Sequence, residues 1–467
     1  MMERSYMNFD KYQQKVIVTN HNAIVIAGPG SGKTTTILNK VKYILEHNPE
    51  AKILLLSFTN KSVDDIKNRL SKTDIDILTF HKLAIDILKT YNYKYSIVNE
   101  DTLPYIIDEY FLSMDKKDIN KLCLYLNIDK FIKTSREYQS LKKLIITFIN
   151  LFKTNNHNID NLKKLVNNYK DKYLLKIILD ILNLYENEKR STGTLDFDDL
   201  ITISTLLLKA DYRYKKYDYI IIDEFQDTSQ IRLNLIKAIY YASNGIITVV
   251  GDDAQSIYHF SGCDIDLFLN FQSHFPDVEL FYLKNTYRNC KKIVDVTQKF
   301  IERNPLQLKK NMISNIEVDN PIKIIYYLNP VKALKKILDT FKANDDVMIL
   351  SRNHNDINNY IDDEFLLKEN SLIYKDKHFK YMTIHSSKGL ENDYVIILNN
   401  NDSIYGLPNK IEDHPILNYL NKSVCEIPYA EERRLFFVAL TRCKTKVFLL
   451  ASRKNPSLFI KELKKLL

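Results

Sequence analysis

Residues Tyr219 to Ser229 read YIIIDEFQDTS, three isoleucines running straight into Asp223, Glu224, Gln226 and Asp227. A short apolar run without polar alternation predicts a strand buried on both faces, as in parallel sheets covered by helices. Open sheets of that kind hold ligands at the carboxyl ends of their strands, where this acidic cluster falls. Carboxylates so close together repel one another unless a cation sits between them. A solvated acidic turn would account for two of them. The stretch at residues 23 to 36 favours the cation.

That stretch reads AIVIAGPGSGKTTT, an apolar strand, a glycine-rich loop from Ala27 to Thr34, and the start of a helical pattern. Glycines let the backbone turn its N–H groups toward phosphates, and the helix N-terminus behind them favours negative charge. Gly28, Gly30, Ser31, Gly32 and Thr35 are the candidate cradle, Lys33 reaches the β- and γ-phosphates, and the Thr34 hydroxyl ligates Mg²⁺. The loop departs from G-x-x-x-x-G-K-[ST] at its first position, Ala27. Three of the chain's 9 glycines sit in it. The chain is expected to bind a nucleoside triphosphate.

With 467 residues, 45% of them hydrophobic, the chain can bury several cores, so two or three domains are expected. A net charge of +9 suits a polyanionic partner without requiring one. Cys123, Cys263, Cys290, Cys425 and Cys443 lack metal-ligand spacing and read as reduced intracellular thiols. The opening MMERSYMNFDKYQQK lacks the apolar core of a signal peptide, and no apolar run reaches membrane-spanning length. Short strands alternate with helical patterns to about residue 85. No glycine then appears between Gly32 and Gly193, and no proline between Pro104 and Pro276. Inside that window Leu141, Leu144, Ile145, Phe148, Ile149 and Phe152 recur at helical spacing, and Tyr173 to Tyr185 is nearly apolar throughout. An all-helical insert over 90–192 is predicted. The α/β pattern resumes at Tyr217, and a second α/β unit follows with strands at Ile322–Leu328, Val347–Ser351, Tyr394–Leu398 and Val447–Ala451.

These segments together resemble the superfamily 1 DNA helicases related to UvrD, Rep and PcrA, in motif order and across nearly the whole chain. FDKYQQKVI (Phe9–Ile17) is similar to their adenine-reading motif, with Gln13 as base reader and Gln14 as the alternative. LLLSFTNKSVDDIK (Leu54–Lys67) and LTFHKLA (Leu78–Ala84) resemble the first DNA-contacting motifs, and LDFDDLI (Leu195–Ile201) re-enters the first motor lobe. VVGDDAQSIYHFSG (Val249–Gly262), TYRN (Thr286–Asn289), TIHSSKGLEND (Thr383–Asp393) and AEERRLFFVALTR (Ala430–Arg442) look like motifs III to VI. FSGCD (Phe260–Asp264) and NPLQLKK (Asn304–Lys310) are nearer the wording of the helicase IV branch. Only residues 353 to 382 separate SRN (Ser351–Asn353) from motif V, where UvrD and Rep insert a large mobile 2B domain. The implied fold is α/β: two RecA-like P-loop NTPase lobes of parallel sheets flanked by helices, with a helical 1B insertion. The resemblance further implies a 2B domain that is absent or vestigial, and no nuclease extension is expected. Lobe 1A would take residues 1–89 and 193–280, 1B 90–192, and lobe 2A 281–467.

The resemblance also implies roles. ATP lies between the lobes, with Asp223 on Mg²⁺ directly or through water. Glu224 orients and deprotonates the attacking water, since the nucleophile must lose a proton as the γ-phosphoryl group departs. Gln255 senses the γ-phosphate, while Arg288 and Arg442 reach across from the second lobe. Tyr287 stacks on adenine and Glu391 binds the ribose. Phe58, Tyr258 and Phe260 are candidates for base stacking; core packing competes with that reading, most strongly at Phe58. Thr59, Thr79, His81, Thr383, His385 and Ser386 are candidate phosphate contacts. Without 2B, duplex contacts would fall to insert lysines such as Lys142, Lys143, Lys163 and Lys164.

The implied activity is ATP-dependent translocation on single-stranded DNA with 3′→5′ unwinding. One alternative is a motor that strips proteins from DNA or acts on RNA or RNA polymerase. Another is an ATP-gated binding scaffold with little hydrolysis, against which Glu224, Gln255, Arg288 and Arg442 argue. Single-stranded and tailed duplex DNA are the implied partners, together with replication or repair proteins, for a monomer or weak oligomer. A soluble intracellular place is expected, cytoplasmic or at a nuclear or viral replication site.

Overall fold

Strands that are apolar throughout need helices on both faces, and this chain meets that need twice. The computed structural model describes residues 9–70, 75–166, 169–420 and 427–467. The expectations for residues 1–8 and for Cys425 fall outside them; the other four cysteines are free and buried. The chain opens with α1 (Lys11–Val18), β1 (Ala23–Ala27), α2 (Lys33–His47), β2 (Ile53–Ser57), α3 (Asn60–Leu70), β3 (Asp76–Thr79) and α4 (Phe80–Thr90). Next, β4 (Ser96–Ile97) leads into the helices α5 (Thr102–Ser113), α6 (Lys116–Leu126), α7 (Arg136–Thr154), α8 (Ile159–Leu165) and α9 (Tyr169–Thr192). A parallel pairing of β4 with β5 (Thr194–Leu195) closes the neck of this insert. The first unit then resumes with α10 (Phe197–Ala210), β6 (Tyr219–Ile222), α11 (Gln230–Ser243), β7 (Ile246–Gly251), α12 (Asp266–Leu269) and β8 (Glu279–Leu283).

Its six strands run in the order β3-β2-β6-β7-β1-β8, and every neighbouring pair is parallel. That topology brings the segments following β2, β6, β7 and β1 to one edge, as ligand sites in open sheets require. The edge strand β8 corrects the expected boundary at residue 280, because it pairs with β1 and extends the first sheet to Leu283. Its outer side has no neighbouring strand among the described residues and its first two residues are exposed, so ELFYL lacks the continuous burial that marks the central strands.

The second unit comprises α13 (Lys291–Ile301), β9 (Ile322–Tyr327), α14 (Pro330–Leu338), β10 (Val347–Ser351), β11 (Phe365–Lys368), β12 (Ser371–Tyr374), β13 (Lys377–Thr383), β14 (Asn392–Ile397), α15 (Ala430–Leu440), β15 (Cys443–Ser452) and α16 (Leu458–Lys464). Its seven strands run β11-β12-β13-β10-β14-β15-β9. Residues 353–382 hold a 3₁₀ helix (His354–Asn359) and an antiparallel β11–β12–β13 meander that ends the sheet on that side. Lys375 and Asp376, with φ of 46° and 60°, make its two-residue turn. No separate domain lies between Arg352 and Thr383.

Within the insert, Leu141, Ile145, Phe148 and Ile149 on α7 pack with Leu174, Ile178 and Ile181 on α9. The same core contains Ile416, Leu417 and Leu420, from a strap that the second unit sends across between β14 and α15. Along the strap, His414 Nδ1 accepts Ile416 N–H (3.2 Å) and its Nε2 faces the Tyr125 hydroxyl (3.3 Å). Tyr419 donates to Asp171 (3.0 Å), and His157 Nε2 donates to Leu420 O (2.6 Å). Among the described residues, no helix is long and apolar enough to cross a membrane.

Candidate active site and nucleic-acid face

The phosphate loop is shaped by what touches it. Gly30 and Gly32 have φ of 68° and 77°. A Cβ at Gly30 would lie 2.4 Å from Arg288 Cβ, and one at Gly32 would lie 2.7 Å from Gln13 Nε2. A larger residue would be strained at either place and would push away a segment arriving from elsewhere. Thr286 Oγ1 donates to Pro29 O (2.8 Å) and Tyr287 N–H to Gly30 O (2.9 Å), so the segment leaving β8 is bonded to the loop itself. Gly28 and Ser31 form the loop's internal turn (3.3 Å). Lys33 and Thr34 open α2, and Thr35 Oγ1 accepts from Arg69 (3.2 Å). Ser31 Oγ is buried without a hydrogen-bond partner among the described residues.

Of the two candidate glutamines, Gln13 reaches the loop and donates to Ser31 O (3.5 Å), whereas Gln14 turns back to Phe9 O (2.8 Å). The exposed Tyr287 ring stands near Gly32, tethered through its hydroxyl to Asp10 (2.6 Å). Glu224 has φ of 53°, an uncommon conformation for a residue with a side chain. Lys33 Nζ lies 3.7 Å from its carboxylate and Gln226 donates to it (2.5 Å). Burial works against the Glu224 charge, but Lys33 and Lys388 outweigh it and hold the carboxyl below its ordinary range. Asp223, buried and repelled by Glu224, is pushed up. Two carboxyls driven apart in this way are suited to different tasks. A glycine cradle, an orphan hydroxyl and a carboxylate that would gain from a cation fit a phosphate-bound Mg²⁺, with Thr34 and Asp223 as its candidate ligands.

From the second unit, Arg442 enters only 1% exposed and donates to Gln255 Oε1 (3.2 Å), while Gln255 Nε2 donates to Asp252 (2.6 Å). Burial and the like charge of Arg288 both push the Arg442 guanidinium down, a cost that an anion between the two would relieve. Arg288 donates to Glu391 (2.6 Å), which also meets Lys444 (3.2 Å); this carboxylate is thus an arginine partner as well as the candidate ribose ligand. Sequence reasoning missed Lys388. Its ammonium lies 2.5 Å from Asp227 and 2.8 Å from Gln255 O, and 4.8 Å from the centre of the Tyr258 ring. The residue sits inside the motif V string, but its partners are too distant in sequence for spacing to reveal. Arg434, also missed, donates to Ser256 O (2.9 Å).

The candidate DNA-contacting residues form two groups. In the first unit Phe58 packs on Phe80 (5.1 Å) with Arg232 over its ring (5.3 Å), and His81 meets the exposed Phe197 edge-on (5.5 Å). Thr79 is buried and accepts the Lys82 N–H as the cap of α4 (3.4 Å). In the second group Phe260, 57% exposed, stands edge-on to His385 (5.6 Å) and to Tyr258 (6.0 Å), whose hydroxyl donates to His385 O (3.2 Å). One local device occurs in both units: Thr59 meets the Ser62 hydroxyl at 2.8 Å, and Thr383 meets Ser386 at 2.9 Å. Of the insert lysines, Lys142 is already paired with Asp108 (2.8 Å). Lys143, Lys163 and Lys164 are exposed.

Residues 9–276 match the UvrD/REP helicase N-terminal domain and residues 366–454 the UvrD-like helicase C-terminal domain. The chain is 28% identical to DNA helicase IV of Escherichia coli (strain K12), over 97% of its own length and 69% of the relative's. It is 29% identical to the ATP-dependent DNA helicase Rep of Buchnera aphidicola subsp. Schizaphis graminum, over 97% and 66%. With PcrA of Bacillus subtilis it shares 28% identity, over 68% of this chain and 42% of that one. The chain therefore spans about two thirds of the first two relatives and less than half of the third. A family model that covers more than half the chain, with a second on the following unit, settles its membership: it belongs to the UvrD/REP helicase family.

Proposed function

We propose that this protein is an ATP-driven single-stranded DNA translocase that unwinds duplexes 3′→5′. The observation that carries the reading is that four groups from two lobes share one site: Lys33 faces Glu224, Arg288 lies beside Gly30 of the glycine-rich loop, and the charge of Arg442 acts on Glu224. Lobe 1A takes residues 9–89 and 193–283, the 1B insert 90–192 and lobe 2A 284–467. Lys33 and the loop amides bind the phosphates of ATP. Gln13 and Tyr287 hold the base, and Glu391 the ribose. Thr34 and Asp223 would hold Mg²⁺, which when bound would supply positive charge to neutralise the phosphates of ATP.

Glu224, ionised at neutral pH, accepts the proton of the attacking water. Arg288 and Arg442 balance the charge that develops as the bond breaks. Such arginines are worth about 10³–10⁵ in rate in other phosphoryl-transfer enzymes. Because both arrive from lobe 2A, turnover depends on lobe closure. Closure also moves Thr383, His385 and Ser386 relative to Thr59, Thr79 and His81, which converts hydrolysis into a step along the DNA. Phe58, Tyr258 and Phe260 offer aromatic faces that every base can stack on, so stepping need not read sequence.

ATPase rates with single-stranded DNA, duplex DNA and RNA test the substrate, and 3′- against 5′-tailed duplexes test polarity. Strong stimulation by single-stranded DNA and unwinding from 3′ tails are expected. Equal stimulation by RNA, or unwinding from 5′ tails, would overturn the reading.

A further inference from the structure

Behind Gln255 lies a buried charge cluster belonging to both lobes. Asp252 and Asp253 follow β7 and are both 0% exposed. Lys310, from the stretch between α13 and β9, ion-pairs with Asp252 and lies 2.6 Å from Asp253 Oδ1. Gln307 Nε2 and the Leu308 N–H (2.8 Å) donate to Asp253 Oδ2. Asp252 Oδ1 also accepts Ala254 N–H (3.1 Å), and its Oδ2 takes Gln255 Nε2 (2.6 Å). The amide is then fully oriented, with its oxygen toward Arg442. Two adjacent buried carboxylates repel each other unless a cation lies between them, so this orientation depends on Lys310.

The lysine is carried on a strategic segment. Ile313 N–H donates to Lys284 O (2.7 Å) and its carbonyl accepts Thr286 N–H (2.9 Å), which ties the stretch to the linker between the lobes. Met312 packs against the phosphate loop where a Cβ at Gly28 would sit, 2.5 Å from Met312 Cε.

We propose that Lys310 is a positioning residue for ATP hydrolysis: through its direct ion pair with Asp252 it holds that carboxylate, and with it the Gln255 carboxamide, in the orientation that bridges to Arg442. The inference rests on the reading of Gln255 as the γ-phosphate sensor. Lys310 touches neither the loop amides nor Lys33, so its loss should slow turnover without weakening ATP binding.

The test is steady-state ATP hydrolysis by the full chain with saturating single-stranded DNA, for Lys310→Met, Gln255→Ala and the double variant. Lys310→Met is expected to lower kcat by on the order of 10–100-fold with KM for ATP unchanged. The double variant should match Gln255→Ala alone, because both changes remove one arrangement. Lys310→Arg, which keeps the charge, should recover part of the rate. Lys310→Met combined with Asp253→Asn balances the buried charge, and should melt near wild type while kcat stays low.

Multiplicative losses in the double variant would overturn the proposal, as would a raised KM at unchanged kcat. So would full recovery of kcat in the charge-balanced pair, or failure of both Lys310→Met variants to fold, since the lysine would then be structural. If Gln255→Ala hydrolyses ATP at the wild-type rate, the reading of Gln255 falls and the inference with it. If only the Lys310 variants do so, the inference falls alone.

Discussion

At Glu224 an uncommon backbone conformation, a lysine at 3.7 Å and a glutamine at 2.5 Å meet in one carboxylate. Replacing it with Gln keeps the shape and removes the proposed proton acceptor. Glu224→Gln should therefore bind ATP normally and lose about 10²–10⁴ in turnover, whereas Lys33→Ala should lose ATP affinity; nucleotide binding and ATPase assays separate the two. Near-wild-type hydrolysis by Glu224→Gln would sink the general-base role. Phe260, 57% exposed, offers a different contrast. Phe260→Ala should remove about 1–3 kcal/mol of stacking per base, harming unwinding more than DNA-stimulated ATPase and leaving Tm in place; a matching fall in Tm would favour core packing. His81 and His385 give a pH signature. Burial, with Arg232 beside His81 and with Arg352 and Lys388 near His385, lowers both to about 4 in the folded state. An unfolded histidine titrates near ~6.5, so between these values the unfolded chain binds more protons. Their contribution to stability is complete above about pH 6.5 and is lost as pH falls toward about 4. Denaturant titrations across that window should show a slope that His385→Asn reduces.

The strap between β14 and α15 is the element that the sequence concealed most completely. PILNYL is too short to show a helical or strand period, yet Ile416, Leu417 and Leu420 are buried in the core of α7 and α9. Leu417→Ala should cost about 2–5 kcal/mol, and hydrogen exchange should show weakened protection in α7 and α9 rather than in β14. Weakening confined to lobe 2A would contradict this packing. The contrast with β1, β2, β6 and β7 shows what made other elements readable. Those strands are buried along nearly their whole length, so composition alone marks them. The phosphate loop and the Asp223–Glu224 pair were readable because all their parts are local. Strand β8, the β11–β13 meander, Lys388 and Lys310 were not. β8 and β11 are edge strands, β12 and β13 are buried only at alternate positions, and both lysines take their meaning from partners far away in the chain. Thr79 was readable as a motif residue, but its use as the cap of α4 appears only in three dimensions.

On the scale of the whole molecule, the insert is held on two sides. One is its neck and the ion pairs of Lys153 and Lys189 with Asp199; the other is the strap. With no domain between Arg352 and Thr383, its exposed Lys163 and Lys164 are the groups to test for duplex binding. Lys163→Glu with Lys164→Glu should weaken binding to a 3′-tailed duplex more than to single-stranded DNA. It should also flatten the salt dependence, the log–log slope falling by roughly 1 for each phosphate left without its lysine. Unchanged slopes would remove the insert from the duplex track.

The strap has another consequence, for the order in which the molecule can be made. The last helix of the insert ends at Thr192, yet its core is complete only when Leu420 has been added. A ribosome working at roughly 5–20 residues per second needs on the order of ten seconds or more to make that stretch. Throughout that interval α7 and α9 present an unfilled apolar groove. The central strand β1 waits as well, because its partners β7 and β8 both follow the insert. Newly made chains should therefore depend on a chaperone that shields apolar surface, and truncation just before Pro415 should give a product that aggregates although every proposed catalytic residue before motif VI is present.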